Sequence, residues 1–156
     1  MKYRIDYQLT NDIDWFAEYN GIPLHFASNG HVIPAVIDSK NNRNIQRKIA
    51  EWSNIKRINI DSLINKKIRN LLTSDDNLDD YIASFVSFAK MGFVSLDTLC
   101  NNENNKNSRY IIVAYPSNRN NTLNMVFPEF YDMLQMPKLS DDIFDMSYLT
   151  SLWNKQ

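Results

Sequence analysis

A single cysteine, Cys100, excludes an internal disulfide; as a catalytic thiol it would need a histidine or cation folded beside it, and it is expected to be structural. Only three glycines occur, Gly21, Gly30 and Gly92, and none stands in a glycine-rich run. That excludes a loop whose backbone N–H groups cradle phosphate, and with it the common nucleotide-binding motifs. Two histidines, His25 and His31, and one distant cysteine lack the spacing of a zinc site. The acidic run Asp75, Asp76, Asp79, Asp80 lacks the glycine and terminal glutamate of a calcium loop. No cofactor and no metal are therefore expected. Net charge is -1, so no overall field points to nucleic acid or membrane. No run approaches the roughly 20 apolar residues of a membrane span. The opening MKYRIDYQLT has no apolar core of the kind a signal peptide carries. Together these absences lead to the expectation of a cytoplasmic protein.

What is present is enough apolar residue for a core: 44% hydrophobic and 12% aromatic in 156 residues, which is most simply one domain, 1–156. The clearest local signals are two Asn-Gly pairs, Asn20-Gly21 and Asn29-Gly30. A type I′ hairpin turn needs positive φ at both central residues, which Asn and Gly tolerate best. The first pair sets Tyr19 against Ile22, Ala17 against Leu24 and Trp15 against Phe26 on one face. Asp14, Phe16 and Glu18 then oppose Ala27, His25 and Pro23 on the other, a face expected to meet solvent. The second pair would return the chain as a third strand from His31 to Ile37, weakened by Pro34, which has no N–H to donate. Alternation of Tyr3, Ile5, Tyr7 and Leu9 with charged or polar neighbours predicts another half-buried strand over 2–9.

From Ser39 the period changes. Ile45, Ile49 and Trp52 recur at helical spacing, with Asp38 or Ser39 as cap. A second helix is expected after Asp61 on the stripe Ile64, Ile68, Leu71, Leu72. A third, the most apolar, runs through Leu78, Ile82, Phe85 and Ala89 and stops at Gly92. Phe93–Leu99 and the run RYIIVAYP from Arg109 read as strands, the latter paired with Leu123, Met125 and Phe127. Helices are expected after Pro128, with Phe130, Met133 and Leu134 inward, and after Ser140. The sum is an α+β fold: an antiparallel sheet, from an N-terminal β-meander and a later hairpin, covered mainly on one face by three to five helices.

Catalytic residue types converge only at His25, with Asp14 and Glu18 as its carboxylate neighbours; Ser28 falls on the opposite face. Between Lys40 and Asn70, nine Lys or Arg stand against Glu51 and Asp61, a local excess of seven. Arg43, Arg47, Lys48, Lys66, Lys67 and Arg69 are its candidates for contact with nucleic acid or an acidic partner, although aromatics for base stacking are missing. The expected function is a small cytosolic non-catalytic binding protein that presents a charge-segregated surface to a macromolecular partner, most simply another protein. One alternative is a nucleic-acid-binding accessory protein using the 40–70 helices. Another is a hydrolase or transferase centred on His25 and Asp14. An edge strand offers a route to oligomers.

Overall fold

A computed structural model describes residues 1–71, 77–99, 109–141, 149 and 151–153 of the chain. Asn20 and Gly21 take φ of 49° and 75°, and β1 (Asp14–Tyr19) and β2 (Ile22–Ala27) pair antiparallel across them in the expected register. The rings of Trp15 and Phe26 stack 3.8 Å apart on that register. β2 then pairs in parallel with β4 (Val94–Leu99), placing His25 beside Ser95. β4 pairs antiparallel with β5 (Arg109–Pro116), and β5 with β3 (Ser62–Ile64). The order is β1-β2-β4-β5-β3, a mixed and mostly antiparallel sheet within an α+β fold.

Three expected strands are not formed, and in each case the partner edge is already taken. Residues Ile5–Thr10 form a short helix, α1, in place of a strand over 2–9. The outer edge of β1 is closed instead by α2 (Ser39–Ile55): Asn42 Oδ1 accepts from Phe16 N at 3.2 Å, and Gln46 Nε2 donates to the Asp14 carbonyl at 2.6 Å. Further along the same edge, Glu18 exchanges backbone bonds with Pro137 and Leu139 at 2.9 and 2.7 Å. In α1, Gln8 is the buried residue, bonded to Tyr3 O and Ile33 N, while Ile5, Tyr7 and Leu9 stand about half exposed. Asn29-Gly30 does make its turn, closed by His31 N to Ser28 O at 2.9 Å, but no third strand follows. The free side of β2 belongs to β4, and Ile33 and Ile37 tuck into the core from an irregular segment. Leu123, Met125 and Phe127 do not pair with β5, whose two edges hold β4 and β3; the chain turns into α5 (Leu123–Val126).

The helix expected after Asp61 shrinks for a related reason. Residues 62–64 supply the edge strand β3, and only Ile68–Leu71 (α3) coils, with Ile68 buried. Leu72, Asp75 and Asp76 lie outside the described residues, as do Cys100 and most of the helix expected after Ser140. The other helices form where periodicity puts them. Asp38 caps α2 by accepting from Asn41 N, and α4 (Leu78–Lys90) buries Ile82, Phe85 and Ala89. α6 (Pro128–Leu134) buries Phe130 and Leu134 but exposes Met133, against expectation.

Both sheet faces are covered. Trp15, Ala17, Leu24, Phe26, Val94 and Leu96 pack under Tyr3, Ile33, Ile37, Leu139 and Leu149. The opposite face, that of Phe16, His25 and Phe93, carries the helices α2, α4, α5 and α6. The side expected to be wet is therefore the helix-covered side, and every residue of β2 is buried.

Gly92 joins α4 to β4 with φ of 100°, and a Cβ there would lie 2.5 Å from the backbone nitrogen of Leu123. Gly92→Ala is expected to cost about 3 kcal/mol or more, because strain and a backbone clash add. Gly21→Ala meets nothing within 4 Å and carries only the φ penalty, about 1 kcal/mol. Urea denaturation of the two variants checks the difference.

Candidate functional site

Alternation along β1 and β2 aims Asp14, Phe16 and His25 at the helices, and the parallel pairing with β4 adds Ser95 to the same face. His25 is fully buried, against the expected solvent-facing position. Its ring stacks on Phe88 of α4 at 3.9 Å and touches Phe16 and Phe85. Both ring nitrogens are bonded: Nε2 to Asp14 Oδ1 at 2.8 Å and Nδ1 to Ser95 Oγ at 2.6 Å. An ionised carboxylate only accepts, so Nε2 carries the proton, and Nδ1 of the neutral ring accepts from the Ser95 hydroxyl.

Burial pushes the His25 pKa below its ordinary value of 6.5, and the bond and charge of Asp14 oppose that only in part. The ring is thus neutral and leaves the Asp14 charge uncompensated. Asp14 is further fixed at its backbone, where Asn42 Nδ2 and Gln46 Nε2 both donate to its carbonyl. Nothing among the described residues donates to its Oδ2.

Serine, histidine and aspartate in a hydrogen-bonded row is the arrangement of a nucleophilic triad, but here its burial runs backwards. A working triad exposes the hydroxyl and hides the carboxylate. In this chain Ser95 and His25 are 0% exposed, whereas the Asp14 side chain is 48% exposed. The imidazole is also used the other way round, with Nδ1 rather than Nε2 facing the hydroxyl. The row can hold a carboxylate in a fixed pose; it cannot present an alkoxide to a substrate.

That carboxylate faces a cleft of about 560 Å³ between α1, the start of β1, α2 and the end of α4. The size is that of a small-ligand pocket or a socket for a few side chains. Asp12 and Arg43 share its lining with Tyr3, Tyr7, Phe16 and Phe88. The Arg43 guanidinium sits over the Tyr3 ring, 5.9 Å from its centroid, and Tyr3 stacks on Tyr7.

The other sequence candidates lie apart from this cleft. Glu18 is drawn away by the Tyr131 hydroxyl and by Lys138 at 3.7 Å, so of the two carboxylates only Asp14 reaches His25. Ser28 is buried and accepts from Ile13 N. His31 bonds the Ser28 carbonyl. Among the basic residues, Arg47 pairs with Glu51 at 2.8 Å and Lys48 donates to the Met133 carbonyl. Lys66, Lys67 and Arg69 are exposed beyond β3, at the opposite rim of the sheet from the strand that α2 closes. The strands these groups flank, β1 and β3, lie four inter-strand spacings apart, roughly 19 Å. No group of three or more His, Cys, Asp or Glu among the described residues is placed to hold a metal. No described helix is long and apolar enough to cross a membrane.

Ser95 is the residue that sequence reasoning missed, since its partner lies 70 positions away across a parallel pairing. The chain matches no protein-family model, no curated protein and no solved structure. Its own geometry is what carries a functional reading.

Because folded His25 resists a proton that the unfolded chain accepts, its contribution to stability is fully present above the ordinary value of 6.5. That contribution is lost as pH falls below 6.5, by at most about 1.4 kcal/mol per pH unit. Asp97 has the opposite sign: burial, opposed by the Tyr81 hydroxyl at 2.5 Å, raises its pKa, so acid favours the folded form there. Urea unfolding from pH 7.5 down to about 5 should show a shallower decline in His25→Gln than in the wild type; parallel declines would contradict a neutral, buried ring.

Proposed function

We propose that the protein is a non-catalytic binding protein of the cytosol, presenting a charge-segregated surface to another protein, and that the cleft at Asp14 is where that partner docks. The observation that carries this reading is the direction of burial along Ser95, His25 and Asp14. A hydrolase or transferase would need its nucleophile at the cleft, yet the hydroxyl is sealed beneath the sheet-facing end of the imidazole. What reaches the cleft is a carboxylate held at side chain and backbone, beside aromatic rings, which suits recognition. The separation of the two basic groups across the sheet also favours a protein partner over one continuous nucleic-acid track.

The test uses the tagged full chain and Asp14→Ala, each captured from native lysate and each treated with a fluorophosphonate. The wild type should retain a protein at near-stoichiometric yield, Asp14→Ala should lose about tenfold of it, and Ser95 should remain unlabelled. Labelling of Ser95 would overturn the non-catalytic reading, and equal capture by both forms would move docking away from the cleft. Nucleic acid co-purifying in a salt-sensitive way, with no protein, would replace the protein partner.

A further inference from the structure

We infer that the cleft receives a cationic side chain of the partner, an arginine or a lysine, whose head meets the free oxygen of Asp14 while Arg43 takes a main-chain carbonyl next to it. This deepens the docking reading above and rests on it.

The charges decide the class of occupant. Asp12 and Asp14 line the cleft with one cation, Arg43, so the lining carries a net negative charge. Arg43 forms no ion pair with either carboxylate among the described residues; its guanidinium lies over the ring of Tyr3. Nor does the imidazole behind Asp14 supply a positive charge, because the ring is kept neutral by burial. Asp12 uses Oδ1 to accept from Asn29 N, and Asp14 uses Oδ1 to accept from His25, which leaves one oxygen of each for a visitor. Charge-assisted bonds of this kind are about twice as strong as neutral ones.

The walls point the same way. Tyr3, Tyr7, Phe16 and Phe88 contribute rings, an apolar surround along which the methylene stem of an arginine or lysine can lie while its head stays at the carboxylates. An acidic side chain would be set against two carboxylates. An aliphatic one would strip water from Asp14 without replacing its hydrogen bond. A phosphate backbone fails on the same ground as an acid. Arg43, held over its ring at the same cleft, then meets the carbonyl that every inserted residue carries.

The probes are N-acetyl-arginine amide, N-acetyl-glutamate amide and N-acetyl-leucine amide, titrated at equal ionic strength into the isotopically labelled full chain and followed by amide NMR shifts. The arginine derivative should shift Asp14, Phe16, Arg43 and Phe88 saturably, and bind about tenfold more tightly than the glutamate derivative. Asp14→Asn should weaken it by a similar factor while the remaining amide shifts stay in place, which separates loss of charge from loss of fold. No saturable shift, an equal response to glutamate or leucine, or indifference to Asp14→Asn would overturn the cationic anchor. If that happens while Asp14→Ala still loses its captured protein, the docking cleft stands with a different anchor. If capture is also unaffected, the docking reading falls as well.

Discussion

Strand β2 has no face left for water. It lies between β1 and β4, with irregular segments above and helices below, and all six of its side chains are buried. Five of the six are apolar or Pro and satisfy that constraint by packing. His25 cannot, because both ring nitrogens must find partners in a dry interior. The two it finds, Ser95 and Asp14, come from the two neighbouring strands, so one imidazole ties three strands together at a single level of the sheet. The neutral charge state, the stacking on Phe88 and the fixed pose of Asp14 at the cleft all follow from satisfying that ring.

Local chemistry was legible where the chain decides for itself. The positive φ at Asn20 and Gly21, the Asp38 cap and the apolar stripe of α4 depend on neighbours within a few residues, and they formed as the sequence reads. What was not legible depended on competition for strand edges. Residues 2–9 alternate well enough for a strand, but the edge of β1 had been taken by Asn42 and Gln46, whose amides stand in for a strand backbone. Leu123–Phe127 alternates too, and met a β5 already paired on both sides. Alternation states which face a segment can bury; it says nothing about whether a partner is vacant.

The site shows the same division. Its Asp14–His25 half follows from hairpin register and is visible in the sequence; its Ser95 half rests on a parallel contact between residues 70 positions apart. The sidedness departs from the expectation for a chemical reason. Asp14 and Glu18 make one face of β1 look wet, yet Asp14 reaches out from the start of the strand and Glu18, largely buried, is satisfied by Tyr131 and Lys138. Phe16 between them, opposite His25, carried the correct signal. Arg43, read as part of a basic face, belongs instead to the aromatic cleft because Tyr3 rises beneath it.

The closing of the β1 rim has a consequence for the behaviour of many copies in solution. With Phe16 N, the Asp14 carbonyl and both backbone groups of Glu18 engaged by α2 and by residues 137–139, that border is blocked to a strand from a neighbouring molecule. Any lengthening of the sheet has to start at the opposite border, from the three residues of β3, with Lys66 and Lys67 close behind. A template that short, guarded by like charges, restrains runaway stacking. The sheet is thereby kept discrete by one asparagine and one glutamine side chain on one side and by brevity on the other.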